Sequence, residues 1–178
     1  MRILLAGATG VIGRQAVPVL TAAGHQVIGL ANRPARLPGA EVVVADALDR
    51  AAVAGAVRSA APDVIVHMLT AIPDPIDPRY LARDMALTNR LRTEGTANLV
   101  AAAGGNARII AHAYDPAGSL VKDEGAPLWR DPPGQFGPVL AALRDMEHQV
   151  AAAGGLVLRL GHLYGPGGLA AERSVATR

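Results

Sequence analysis

Six apolar runs of four or five residues recur along the chain, at Arg2–Ala6, 26–30, Glu41–Val44, 64–68, 108–111 and Leu156–Leu160. Their length and the turn residues that bound them predict strands. Between them lie longer, Ala-rich stretches whose spacing predicts helices over 12–23, Arg50–Ala60, 79–103 and 135–153. Strand alternating with helix from one end to the other is the pattern of a parallel sheet covered by helices. The link between the second and third strands carries Pro34 and Pro38 and is expected to be short and irregular. Right-handed crossovers in a doubly wound order put ligands at the carboxyl ends of the strands. Two proline-rich stretches lie there, 72–78 after the fourth strand and 126–138 after the fifth, the second in a long loop of the kind that usually serves function.

The first strand runs directly into Gly7-Ala8-Thr9-Gly10-Val11-Ile12-Gly13. Glycine suits these three places for separate reasons. Gly7 lets the chain reverse off the strand, Gly10 lets backbone approach a pyrophosphate, and Gly13 lets the next helix pack close to the sheet. That helix turns unpaired N–H groups and the positive end of its dipole toward the phosphates. Thr9, Val11 and Ile12 complete the expected dinucleotide-binding segment. The spacing is G-x-x-G-x-x-G rather than the commoner G-x-G-x-x-G, and a merely tight strand-to-helix turn is the alternative use.

Composition narrows the classes. A chain of 178 residues, 51% of them hydrophobic, is expected to form one domain over 1–178 with a substantial core. Seventeen basic and fifteen acidic residues leave a formal charge of +2, and aromatics make up 3%, so neither a basic surface nor stacking platforms for nucleic acid are expected. Lys122 is the only lysine. No cysteine is present, which excludes a disulfide framework and thiolate chemistry and fits a cytoplasmic protein. Arg2 before an apolar run superficially resembles a secretion signal, but Gly7, Gly10, Gly13 and Arg14 break the run early. No stretch approaches the roughly eighteen apolar residues that cross a bilayer, so no membrane partner is expected. The five histidines share no ligand spacing, and no metal site is expected.

Three further segments carry a family pattern: Ala45-Asp46-Ala47-Leu48 after the third strand, Glu94-Gly95-Thr96-Ala97-Asn98-Leu99 in the long helix, and Leu158-Arg159-Leu160-Gly161-His162-Leu163-Tyr164-Gly165-Pro166-Gly167 near the end. With the glycine turn, the chain resembles an extended or atypical short-chain dehydrogenase/reductase of the NAD-dependent epimerase/dehydratase type. The resemblance implies an α/β doubly wound parallel sheet, a Rossmann fold of about six strands. It also implies that the family's smaller C-terminal substrate domain is lacking, since the residues after Gly167 are too few to build it. By the same resemblance Asp46 bonds the adenine amino group with Ala47 beside the ring, and Leu69, Thr70 and Ala71 line the nicotinamide ribose. A helix cap or Asx turn is the alternative use of Asp46.

Charge bears on the cofactor. The second strand ends Leu30-Ala31-Asn32-Arg33, with no carboxylate where an NAD site places one for the ribose 2'-hydroxyl. Arg33 would pair with a 2'-phosphate, Asn32 would bond the ribose, and Arg14 or Arg36 would add charge. NADP is therefore expected ahead of NAD, with solvated loop arginines as the alternative.

The family's proton-transfer groups are missing. The resemblance calls for a Tyr-x-x-x-Lys pair, a serine closing the fifth strand and an asparagine in the preceding helix. The serine position falls on Ala113 and the asparagine position on Arg92, with Asn89 about one turn earlier. The pair registers on Phe136 and Leu140, or on Val139 and Leu143 if Glu147 is the anchor. Lys122 lies eight residues after Tyr114, the wrong spacing for one helix face. His112, Tyr114 and Asp115 sit at the right end of the sheet to substitute, His112 and Tyr114 being the weak catalytic candidates; His67 reads as a hydrogen-bonded core histidine. Two readings stand: an oxidoreductase or epimerase of a small molecule with relocated chemistry, and a non-catalytic NADP-binding sensor module or inactive remnant. A homodimer through helices 79–103 and 135–153 is a candidate assembly. Arg90, Arg92 and Glu94 form a solvated face if those helices stay unpaired.

Overall fold

The computed structural model describes residues 1–73, 76–114 and 125–161. Six parallel strands form one sheet: β1 (Arg2–Ala6), β2 (Gln26–Ala31), β3 (Glu41–Val44), β4 (Val64–His67), β5 (Arg108–Tyr114) and β6 (Leu156–Leu160), in the spatial order β3-β2-β1-β4-β5-β6. This is the expected doubly wound sheet. Its order reverses between β1 and β4, where a crevice opens at the carboxyl ends of the strands.

The strands read as apolar runs because both faces are covered. On one face Leu4, Ala6, Ile28, Leu30, Ile65, Ile109 and Ala111 meet helices α2 (Arg50–Ala60), α5 (Thr96–Ala103) and α6 (Gly137–Ala152). On the other, Leu5 and Val27 pack with Val17 of α1 (Val11–Ala22) and with Leu37 of the irregular link. Helix α2 shows how its sequence specifies it. Asp49 caps it by accepting N–H bonds from Ala51 and Ala52, and Val53, Ala56, Val57 and Ala60 form its buried stripe. In α6 the fully enclosed Leu140 and Leu143, with Met146, each contribute about 1.5–3 kcal/mol of burial.

Several bounds differ from the sequence reading. Strand β5 continues to Tyr114, because Ala111 and Ala113 are small enough to alternate inward against the helices while His112 and Tyr114 alternate outward. Helix α6 begins at Gly137 after a 3₁₀ turn over Gly134–Phe136, since Pro138 suits a first helical turn and no earlier position. The predicted helix over 79–103 is a bent succession: a 3₁₀ turn (Pro78–Tyr80) capped by Asp77, α3 (Leu81–Asp84), α4 (Ala86–Arg90), one wide π-helical turn (Leu91–Gly95), then α5. The solvated face expected of Arg90, Arg92 and Glu94 is half right. Arg90 and Glu94 form an exposed i,i+4 ion pair at 2.8 Å, whereas Arg92 is 4% exposed, its charge acting on His67 of β4 and His112 of β5.

Candidate functional site: the cleft at the carboxyl edge

The glycines of the β1–α1 turn divide by what constrains them. Gly7 has φ +92°, and a Cβ there would lie 2.7 Å from the Met68 carbonyl oxygen at the end of β4. A Cβ on Gly13 would collide with the backbone of Gly7 and Ala8. Both are required by the protein's own packing. Gly10 is different: its added Cβ would meet only the Gly7 oxygen, at 3.3 Å, and otherwise open space. Gly10 also opens α1 with no side-chain cap and no acidic residue in the first turn, so the helix presents unpaired amides outward. Arg14 folds back from that turn, its Nε donating to the Thr9 carbonyl at 2.8 Å.

A cleft of about 290 Å³ lies beyond this turn. Its walls hold Gly7, Thr9, Gly10, Asn32, Asp46 and Ala47, and further along the edge Leu69, Thr70 and Ala71. Val11, Ile12, Gly13 and Arg33 do not line it; the first three begin α1 behind the turn, and Arg33 is exposed one residue beyond Asn32. Asp46 makes an Asx turn, its Oδ1 accepting the Leu48 N–H at 2.9 Å, while its side chain still faces the cleft. The lining includes Met68, Leu87 and Leu91, which the sequence reading missed. Leu87 and Leu91 stand four residues apart on one helix face, a spacing that reads equally as ordinary core.

The segment Glu94–Leu99 fastens this cleft from behind. Asn98 Nδ2 donates to the Ala47 carbonyl at 2.9 Å, fixing the loop after β3. Thr88 Oγ1 accepts the Ala71 N–H at 2.9 Å, fixing the loop after β4. Between these anchors His67 is buried, with its Nδ1 accepting the Leu69 N–H at 3.2 Å and its Nε2 3.0 Å from Thr96 Oγ1. The Thr96 hydroxyl donates to the Arg92 carbonyl, so it must accept from the ring, and His67 is the neutral Nε2–H tautomer. Burial lowers its pKa to about 4, in keeping with that form. His67 is thus a positioning residue of the core.

Arg92 follows Thr88 by four residues and precedes Thr96 by four, and so lies between the two fastenings. Its Nη1 is buried with no hydrogen-bond partner, and Asn89 Oδ1, also buried, has none either. Desolvation pulls its guanidinium down to about 10, which leaves it charged at neutral pH. That charge acts on both His67 and His112 and helps to lower each.

The positions where a proton relay was sought are apolar. Ala113, Leu140 and Leu143 are fully enclosed, Val139 is 6% exposed and Phe136 is half-buried against Trp129. His112 and Tyr114 alternate to the face opposite Ala113, and burial lowers the His112 pKa. Arg159 of β6 pairs with Glu147 of α6 through two bonds of 2.6 and 2.7 Å and also donates to the Ala126 carbonyl. Asp115, Lys122 and the run His162 to Gly167 lie outside the described residues. Among the described residues no cluster of His, Asp or Glu could hold a metal ion, and no helix is long and apolar enough to cross a membrane.

Known proteins share this architecture. A model of the NAD dependent epimerase/dehydratase family matches residues 3–178. A Streptomyces protein named 3-diazoavenalumate denitrifying reductase is 48% identical over all of this chain, which spans 62% of that relative's length. The UDP-glucose 4-epimerase of Thermus thermophilus, solved with NAD, superposes with a TM-score of 0.72 at 26% identity, over 93% of this chain and 57% of that one. The UDP-glucose 4-epimerase of Brucella ovis, also solved with NAD, gives 0.70 at 20% identity over 89% and 50%, a likeness of fold.

Proposed function

The chain belongs to the NAD-dependent epimerase/dehydratase family, and from that premise we propose that it is a reductase that binds a nicotinamide dinucleotide in the cleft and needs no proton relay from the protein. The observation that carries this is the contrast across one site. The uncapped α1 terminus, the open space over Gly10 and the cleft from Asp46 to Thr70 suit a dinucleotide. The relay positions Ala113, Val139 and Leu143 hold only buried hydrocarbon.

A reduced nicotinamide held by these residues would supply a hydride, and on a carbon bearing a diazonium group a C–H bond would form as the C–N bond broke and N₂ left with the bonding pair. Such a leaving group requires no proton, unlike a carbonyl reduced to an alcohol. The name of the Streptomyces relative describes reduction of a diazo carboxylate with loss of nitrogen, and this substrate class explains why the relay is dispensable here. The chain's own residues bind, orient and exclude water: Gly10 and the α1 amides take the pyrophosphate, Asp46 the adenine end, and Leu69 to Ala71 the nicotinamide ribose.

NADP is the proposed cofactor in preference to NAD. Ala31 and Asn32 close β2 without a carboxylate, and Arg33 is exposed and follows Asn32, which lines the cleft. The reading of the chain as a non-catalytic nucleotide-binding module rests on the same apolar relay positions. Turnover separates the two.

Calorimetric titration of the full chain with NADPH and NADH is the first test, repeated on Gly10→Val and Arg33→Ala. NADPH should bind more tightly, lose binding in the glycine variant and fall toward NADH-like affinity in the arginine variant. NADPH oxidation with nitrogen release from a diazo carboxylate, above the rate without protein, supports the reductase. Nucleotide binding without turnover would leave the sensor reading, and no nucleotide binding by folded protein would sink both.

A further inference from the structure

Among the described residues, the α5–α6 face of the carboxyl edge holds hydrocarbon at Ala113, Val139, Leu140 and Leu143, yet it keeps one buried charge. Its buried polar side chains are His67, Thr88, Arg92 and Thr96. Three of them are satisfied: His67 by Thr96 and the Leu69 amide, Thr88 by the Ala71 amide, Thr96 by the Arg92 carbonyl. Arg92 makes no ion pair among the described residues, and its Nη1 is enclosed without an acceptor. Asn89, three residues earlier on the same helical run, adds a second enclosed polar atom without a partner.

An unpaired buried guanidinium is among the least favourable arrangements a fold can keep, and an orphaned buried polar atom calls for a partner that the described residues do not supply. Its position says where that partner lies. Thr88 ties this helical run to Ala71 on the cleft wall and Thr96 ties it to His67 on β4. Arg92 sits between them along the helical run, next to Leu91 of the cleft wall, and its charge reaches His67 at the end of β4 and His112 near the end of β5. Arg92 is buried within the π-helical turn Leu91–Gly95, beside Leu91, which with Leu87 lines the cleft.

We infer that Arg92, with Asn89 beside it, receives the carboxylate of the substrate at the carboxyl edge of β4 and β5. The inference rests on the reductase reading for its substrate and on the structure for its residue. Guanidinium matches carboxylate with parallel N–H bonds, and an amide alongside supplies a further donor or acceptor. Arg92 therefore selects substrates that carry an anion at a fixed distance from the carbon to be reduced. It is a specificity-determining residue and takes no part in proton transfer.

The test uses the full chain with cinnamate as probe and cinnamyl alcohol as its uncharged counterpart, with and without saturating NADPH. Cinnamate should bind the wild type at least about tenfold more tightly than Arg92→Met, as befits loss of a charge-assisted bond, with Arg92→Lys between them. Cinnamyl alcohol should not distinguish the three proteins, and NADPH affinity should stay within about twofold throughout. Asn89→Ala, which keeps the charge, should weaken cinnamate by a smaller factor. Cinnamate should raise the wild-type melting temperature and leave that of Arg92→Met unmoved, which also reports whether the variant is folded. Equal cinnamate affinity in wild type and Arg92→Met, or alcohol binding as well as acid, would overturn the assignment. Arg92-dependent cinnamate binding by a chain that binds no NADPH would sustain the anion site while removing the reductase reading.

Discussion

Arg159 in β6 grips Glu147 of α6 with Nε and Nη2, one nitrogen to each carboxylate oxygen, at 2.6 and 2.7 Å. This joins the last described strand to the helix that covers it, and the same guanidinium holds the Ala126 carbonyl. Glu147 is the residue that anchors the Val139–Leu143 register, so the pair ties the strand that opens the Leu158–Gly167 segment to the helix that carries that register.

The pair is half-buried and bidentate, better placed than an ordinary surface bridge. Arg159→Ala should lower the unfolding free energy by about 1–3 kcal/mol in urea titration. A double-mutant cycle with Glu147→Ala should return a coupling of roughly 1 kcal/mol. Additive single effects would show that the two side chains act independently.

The glycine turn predicts a dissociation between stability and binding. Gly13→Ala drives a methyl group into backbone and should cost about 2–4 kcal/mol in thermal or urea unfolding. Gly10→Ala meets only one oxygen at 3.3 Å and should cost less than about 1 kcal/mol while weakening NADPH substantially. If Gly10→Ala binds NADPH as the wild type does, the open space over Gly10 is not where the pyrophosphate lies.

His67 makes stability depend on pH in a defined direction. An unfolded histidine titrates near 6.5 and folded His67 near 4, so between those values the unfolded chain holds the extra proton. The contribution of the neutral ring is complete above pH 6.5 and is lost as pH falls toward 4, on the order of 3 kcal/mol in all. The His112 pKa is lowered as well and acts in the same direction, so the measurement is a comparison. Urea unfolding of wild type and His67→Gln from pH 4.5 to 7.5 should show a shallower pH slope in the variant, and parallel slopes would contradict the buried neutral tautomer.

If the reaction proceeds without a protein proton donor, His112 and Tyr114 are dispensable for chemistry. Loss of a general acid or base costs about 10²–10⁴-fold in rate. His112→Ala and Tyr114→Phe should each change kcat for the diazo substrate by less than about tenfold, and kcat should be flat from pH 6.5 to 8.5. A bell-shaped profile abolished by either substitution would restore a relay at the end of β5.

What the sequence disclosed and what it withheld have physical reasons. Strands β1, β3 and β6 begin and end as read because each apolar run is bounded sharply, Gly7 after β1 being the clearest stop. The last residues of β5, His112 to Tyr114, escaped because Ala113 is too small to announce an inward face. The glycine turn and the loops at Asp46 and Leu69 were legible from order and spacing. Arg92 was not, since arginine is ordinarily a solvated residue and nothing in Leu91-Arg92-Thr93-Glu94-Gly95 marks a wide turn. Thr96 and Asn98 were visible only as part of a family pattern, and their bonds to His67 and Ala47 appear once the chain is folded.

The wide turn at Leu91–Gly95 also changes how this edge can diverge among descendants. Five residues of π-helix turn through about as much angle as four of ordinary α-helix, so removing one residue from it would restore regular helix and leave Thr88 and Thr96 facing as they do. A one-codon deletion here would thus change the surroundings of Arg92 while Thr88 keeps Ala71 and Thr96 keeps His67, and the chain length of this turn is a route by which the edge can vary without unfastening the walls beside it.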